Sequence, residues 1–163
     1  MMIPAVLFTF NWWLLVFIMI FPFLIWLKVV DKSRLLEIMI VGLFAGIIAS
    51  FLDMVGVSFS LWSYGNQLLQ VLPMLSPVNF SLLPCIYMLV YQRIPSWKPY
   101  VIILTLLAAF GAFVAEPVFS WLHIYHVITW KYSYSFPIYI AIGIGIKALT
   151  EKLAVIQQQK RQE

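Results

Sequence analysis

Charge is scarce in this sequence. Its 163 residues carry ten basic and six acidic side chains, while 64% are hydrophobic and 17% aromatic. A soluble domain is about half apolar and about a quarter charged. So few charges cannot give such an apolar chain a polar surface. That excludes a soluble globular domain, a disordered chain and a nucleic-acid-binding module. The pI near 9.3 rests on a net charge of only +4.

Other absences narrow the reading further. Cys85 is the single cysteine, so no intrachain disulfide forms, and it reads as a small apolar packing residue. No basic residue precedes Lys28. A secretory signal needs a basic start and a shorter apolar stretch, so the first run reads as a retained span. There is no Walker A motif, G-x-G-x-x-G, G-x-S-x-G or H-E-x-x-H. Nucleotide binding, ATP use and serine hydrolysis have no support. No cofactor, catalytic residue or metal ion is assigned.

Long apolar runs are what remains. A membrane-spanning helix needs about 20 apolar residues, and lipid obliges the backbone to satisfy its own hydrogen bonds. The runs predict an all-α polytopic membrane bundle with five transmembrane helices. The spans cover about residues 3–27, 36–58, 78–93, 100–119 and 134–149 of one bundle, residues 1–152, followed by a polar tail, 153–163. Lys28, Lys32 and Arg34 then share one side with Arg93 and Lys98 and with Lys147, Lys152, Lys160 and Arg161. Lys131 stands alone on the other side. The positive-inside rule therefore predicts N-out and C-in.

Two stretches interrupt the runs. Between Asn66 and Pro84 lie Pro73 and Pro77, and proline removes a backbone donor and disfavours helix at the residue before it. Residues 67–75 read as an interfacial or re-entrant segment before span three. The stretch Trp121 to Tyr134, WLHIYHVITWKYSY, suits the outer interface by its Trp and Tyr content.

Spans two and four resemble each other at a shift of 63 positions. Ala45, Gly46, Ala49 and Asp53 fall on Ala108, Ala109, Ala112 and Glu116. Each acid is followed by a W-x-Y, Trp62 and Tyr64 and then Trp130 and Tyr132. A proline with a nearby tyrosine comes next, Pro84 and Tyr87 and then Pro137 and Tyr139. The pattern suggests a parallel repeat of two two-helix units. Gly42, Gly46, Ser50 and Asp53 share one helical face, as do Ala108, Ala112 and Glu116. Each acid thus lies on a small-residue packing face, where membrane helices approach closely. At 1.5 Å per residue, Asp53 lies about 24 Å above Glu37 and Glu116 about 26 Å above Pro99. Both approach the outer boundary of a core about 30 Å thick.

An intramembrane acid is a functional candidate. Asp53 and Glu116 are the leading pair, able to share a proton, bind a cation or hold a cationic headgroup. The plainer alternative is a structural hydrogen bond between helices. Pro117 interrupts the ladder beside Glu116 and frees a carbonyl. His123 and His126 are the only histidines. On a continued helix they would share a face with Glu116, as interface anchors, as a proton partner or, least favoured, as metal ligands. Lys131 reads first as a snorkelling interfacial lysine and second as a partner of either acid. Asn11 and Asn79 could reach the acids, but each reads first as a cap or a hydrogen bond to a neighbouring helix. Five short spans enclose little volume, so transport would need an oligomer.

The segment AEPVFSWLHIYHVITWKYSYSFPIYI, with the nearly chargeless first span, resembles small five-span membrane proteins of endospore-forming Gram-positive bacteria. The resemblance implies a bacterial plasma membrane and carries over no site residue. The leading expectation is a non-enzymatic membrane protein with an outward-facing polar site, its partners the lipid bilayer and either a second copy or a membrane complex. Nucleic acid and nucleotide are not expected. An assembly or scaffold subunit is the alternative. A lipid- or isoprenoid-modifying enzyme, with Glu116 as general acid, is the third reading and predicts an enclosed apolar cavity reaching it.

Overall fold

The computed structural model describes residues 8–68, 72 and 74–160. The expected start of span one at Ile3, part of the expected interfacial segment with Pro73, and residues 161–163 with Arg161 lie outside them.

Helices dominate. Helix α1, Phe10–Val29, starts on Thr9, whose side chain accepts from the Trp12 N–H. A side-chain acceptor there satisfies one of the unpaired donors of the first turn. Asp31 caps the single 3-10 turn Lys32–Arg34 by accepting from the Ser33 N–H and hydroxyl. Helix α2, Leu35–Ser58, follows directly. A short strand, β1 (Trp62–Tyr64), leads to the proline-rich segment. A π turn, Val78–Leu82, runs into α3, Leu83–Arg93. Helix α4, Trp97–Phe110, passes through a second π turn, Gly111–Ala115, into α5, Glu116–Trp121. Strand β2, Tyr125–Val127, precedes the long α6, Tyr132–Lys160.

Three helices are long and apolar enough to cross a membrane. They are Phe10–Val29, Lys32–Ser58 and Trp97–Trp121, of 20, 27 and 25 residues, with mean hydropathies of 2.2, 2.4 and 2.2. The last starts before and ends beyond the expected 100–119. The third expected span coincides with the π turn and α3, which together run Val78–Arg93. The fifth lies within α6, which continues through residues 153–160 where a tail was expected.

Both π turns have the same cause. Each is followed by a residue and then a proline, Leu83–Pro84 and Glu116–Pro117. The proline cannot donate to the helical ladder. In response the residue before it donates five positions back, Leu83 to the Val78 carbonyl and Glu116 to the Gly111 carbonyl. Such bulges are the usual way for a helix to absorb a local defect, and they recur at functional sites.

The main core lies between α2, α3, α4 and α6, with Ile38, Val41, Ala45, Tyr87, Tyr91, Tyr100, Leu104 and Ile146 buried. Helix α1 buries only Leu15 and Trp26. A smaller cluster of Leu15, Leu75 and Ile124 packs α1 under the connections.

The chain is helical as expected, and among the described residues two three-residue strands are the one addition to it. They pair antiparallel, Trp62 with Val127, Ser63 with His126 and Tyr64 with Tyr125. The ladder supports the repeat over the stretch from each acid to its strand. Both helices before it end alike: Phe59 donates to Val55 and Leu122 to Val118, Ser60 to Val57 and His123 to Ser120, Leu61 to Gly56 and Ile124 to Phe119. Every pair differs by 63 positions. Each end has the bond pattern of a Schellman cap. Ser60 and His123 occupy its left-handed position, at φ 54° and 58°. Across the ladder Gly65 donates to Ile124 and Ile128 to Leu61, the same bond seen from either unit. A local two-fold axis therefore passes between Ser63 and His126. The strand counterpart of Trp62 is Tyr125, not the Trp130 that the W-x-Y pattern suggested. The units diverge after Gly65 and Ile128, where only the first inserts the proline-rich segment.

Candidate functional site

The ladder lies over the ends of α2 and α5, next to both acids. Asp53 is buried and saturated. Its Oδ1 accepts from the Trp62 indole N–H at 2.9 Å and the Tyr64 hydroxyl at 2.5 Å. Its Oδ2 accepts from the Leu75 N–H at 2.9 Å and the Asn79 amide at 2.7 Å. These donors come from β1, from the proline-rich segment and from the π turn. Asp53 thus ties three irregular pieces of chain to α2. Hydrogen bonds to a charged acceptor each contribute about 1.5–3 kcal/mol. Gly56, one turn from Asp53, makes the Trp62 contact possible. A Cβ there would stand 2.0 Å from the indole Cζ2.

Glu116 is held differently. The π turn and Pro117 place it at the start of α5, 9% exposed. Its Oε1 accepts from the Tyr139 hydroxyl at 2.6 Å. The Ser135 side chain acts on the same carboxyl from α6 and also accepts from the Trp130 indole at 2.9 Å. Oε2 is buried with no hydrogen bond of ordinary geometry. An unpaired buried polar atom is costly.

Tyr125 is buried on the ladder, paired with Tyr64. Its ring lies 5.8 Å from that of Tyr64 and 6.3 Å from that of Trp62. Burial, then Glu116 and then Asp53 push the Tyr125 hydroxyl above its ordinary range. Trp62 packs edge-on against Trp130 at 5.0 Å, closing the aromatic cover.

The other expected site residues are placed apart. The helix ends at Trp121, so His123 and His126 do not share a helical face with Glu116. His123 occupies the left-handed cap and His126 pairs across the ladder with Ser63. Both are exposed, with ring centroids 6.1 Å apart. Among the described residues no three His, Cys, Asp or Glu side chains are grouped to hold a metal ion, and no ion pair joins Lys131 to either acid. Asn79 donates to Asp53, the less favoured of its two expected roles, whereas Asn11 donates to the Leu122 carbonyl at 2.7 Å.

Sequence reasoning missed Tyr125, Tyr139 and Ser135 at this end and a cation at the other. Lys147 is 1% exposed. It donates to the Pro95 carbonyl at 2.9 Å and pairs with Glu151 at 2.7 Å. The rings of Tyr91, Trp97 and Tyr100 surround it at 4.8–5.2 Å. Nearby, Glu37 pairs with Arg34 and accepts from the Tyr91 hydroxyl. The i, i+4 spacing of Lys147 and Glu151 was the available signal.

Two apolar grooves lie away from the acids. One, of about 370 Å3, runs along α1 beside Trp13 and Phe17. The other, of about 530 Å3, runs between α1, α2 and α3 beside Trp26, Gly46 and Met88. Neither is lined by Asp53 or Glu116. No protein-family model, curated protein or solved structure matches the chain.

Proposed function

We propose that this chain is a five-span protein of the bacterial plasma membrane, N-out and C-in, whose outer polar site binds a proton or a small cation. Asp53 and Glu116 supply the site's negative charge. The observation that carries the reading is the repeat. A shift of 63 residues gives both acids the same position before the same helix cap, under one ladder. Two buried acids under a shared cover are the arrangement of an ion or proton site in a membrane bundle.

The packing favours a small ligand. Asp53 is filled by four donors and Glu116 is buried, which supports a proton or small cation over a lipid headgroup or a lipid-modifying reaction. The basic groups between α1 and α2, between α3 and α4, and in α6 support the orientation.

The test is uptake by the full-length protein in nanodiscs, with proton release read after a pH jump and sodium or potassium binding read by calorimetry. The wild type should bind more than the Asp53→Asn/Glu116→Gln double variant. Equal uptake by the two proteins contradicts the reading.

A further inference from the structure

We infer that the two acids have separate roles: Asp53 is a closed anchor, and Glu116 alone exchanges the site's ligand, a single proton at Oε2. This rests on the reading of the outer acids as a proton or cation site and names its working residue.

The repeat makes the comparison internal to the chain. Nine residues after Asp53, Trp62 donates to it, and eleven after, Tyr64 donates to it. The same steps from Glu116 lead to Tyr125 and Val127. Valine has no side-chain donor, and no hydrogen bond joins Tyr125 to Glu116 among the described residues. Unit one adds Leu75 and Asn79 from its inserted segment, and unit two has no such insertion. Each oxygen of Asp53 therefore receives two donors. Glu116 Oε2 receives none of ordinary geometry while the residue is nine-tenths buried.

The ligand follows from what surrounds that oxygen. On the α6 side Tyr139 donates to the other oxygen, Oε1, and Ser135 acts on the same carboxyl, while on the ladder Tyr125 of β2 packs against Tyr64 of β1, which is taken up by Asp53 of α2. Hard metal cations take six or more oxygen ligands, and these few hydroxyls fall short. A proton needs one oxygen. The step is simple: hydronium at the outer surface gives its proton to Oε2, an O–H bond forms, water is left, and the carboxylate becomes a neutral carboxyl.

Infrared difference spectroscopy of the full-length protein in phosphatidylcholine vesicles tests this, stepping from acid to alkaline buffer and reading the high-frequency carbonyl band of a buried protonated carboxyl, apart from the lower band of the other acids, Asp31, Glu37, Glu151 and Glu163. The band should be lost on deprotonation in the wild type and be missing from Glu116→Gln. Asp53→Asn should keep it. Tyr139→Phe should shift its frequency, since Oε1 loses its donor, and Tyr64→Phe should leave it unmoved. Should Asp53→Asn not fold, the Tyr64→Phe and Tyr139→Phe pair carries the same comparison. A band that survives in Glu116→Gln and vanishes in Asp53→Asn, or moves with Tyr64→Phe and not with Tyr139→Phe, overturns the division of roles and leaves the site reading standing. Loss of the band on adding sodium or potassium chloride at fixed pH overturns the proton in favour of a cation. A band present in the double variant, or none in the wild type, overturns the inference and the proton site together.

Discussion

Ser60 and His123 turn the chain the same way, at φ 54° and 58°, and stand 63 positions apart. Left-handed backbone costs a residue with a Cβ about 1–2 kcal/mol. Two such residues at matching caps make the repeat testable. Ser60→Gly and His123→Gly should each raise stability by about 0.5–1 kcal/mol, since glycine is unstrained there. Ser60→Val and His123→Val should each lower it. Thermal melting in detergent checks this. Opposite responses at the two positions would count against equivalence of the two caps.

The Asp53 anchor should dominate the stability of the outer end. Asp53→Ala leaves the Trp62, Leu75 and Asn79 donors without their acceptor. Each buried unpaired donor costs about 1–3 kcal/mol, so a loss on the order of 3 kcal/mol or more is expected. Glu116→Gln keeps an acceptor for Tyr139 and should cost under about 1 kcal/mol. Chemical denaturation of both variants reads the difference, and equal losses would contradict it.

Gly56→Ala should disturb the same anchor from the other side. The added Cβ meets the rigid Trp62 ring at 2.0 Å. Overpacking of this kind costs about 1–3 kcal/mol. Displacing the ring also lengthens its bond to Asp53. A shifted tryptophan emission together with a lower melting temperature is the expected result. An unchanged spectrum would mean that the ring does not fill that space.

At the opposite end, Lys147→Met should lower stability by about 2 kcal/mol. It removes a charged hydrogen bond to Pro95 and the cation held by three rings. The Glu151 pair contributes little to this figure, because that carboxylate is 37% exposed. Glu151→Gln should therefore cost much less than Lys147→Met when both are melted side by side.

Much of the helical architecture was legible in the sequence because lipid makes hydrophobic runs informative. The runs marked α2 and the helix through Glu116, and the small-residue spacing put both acids on buried faces. The ladder was not legible. Trp62–Tyr64 and Tyr125–Val127 are three residues each, too short for a periodic signal. The W-x-Y pattern also pointed to Trp130 as the counterpart of Trp62, and only the strand register shows Tyr125 there. The histidines were misplaced because nothing in WLHIYHV announces a left-handed cap at His123, a position glycine usually fills. Tyr139 and Lys147 lie in apolar stretches of α6, and their roles depend on packing against α5 for Tyr139 and against α3 and α4 for Lys147.

Sidedness is the measurement that tests the central claim most directly, since an outward-facing site requires the ladder to face the outside. The buried Cys85 is replaced by serine, and single cysteines are placed at His126, on the ladder, and at Lys98, between α3 and α4. Intact cells are treated with a membrane-impermeant maleimide before and after permeabilisation. The account predicts labelling at position 126 in intact cells and at position 98 only after permeabilisation. Labelling at 98 with protection of 126 would contradict it.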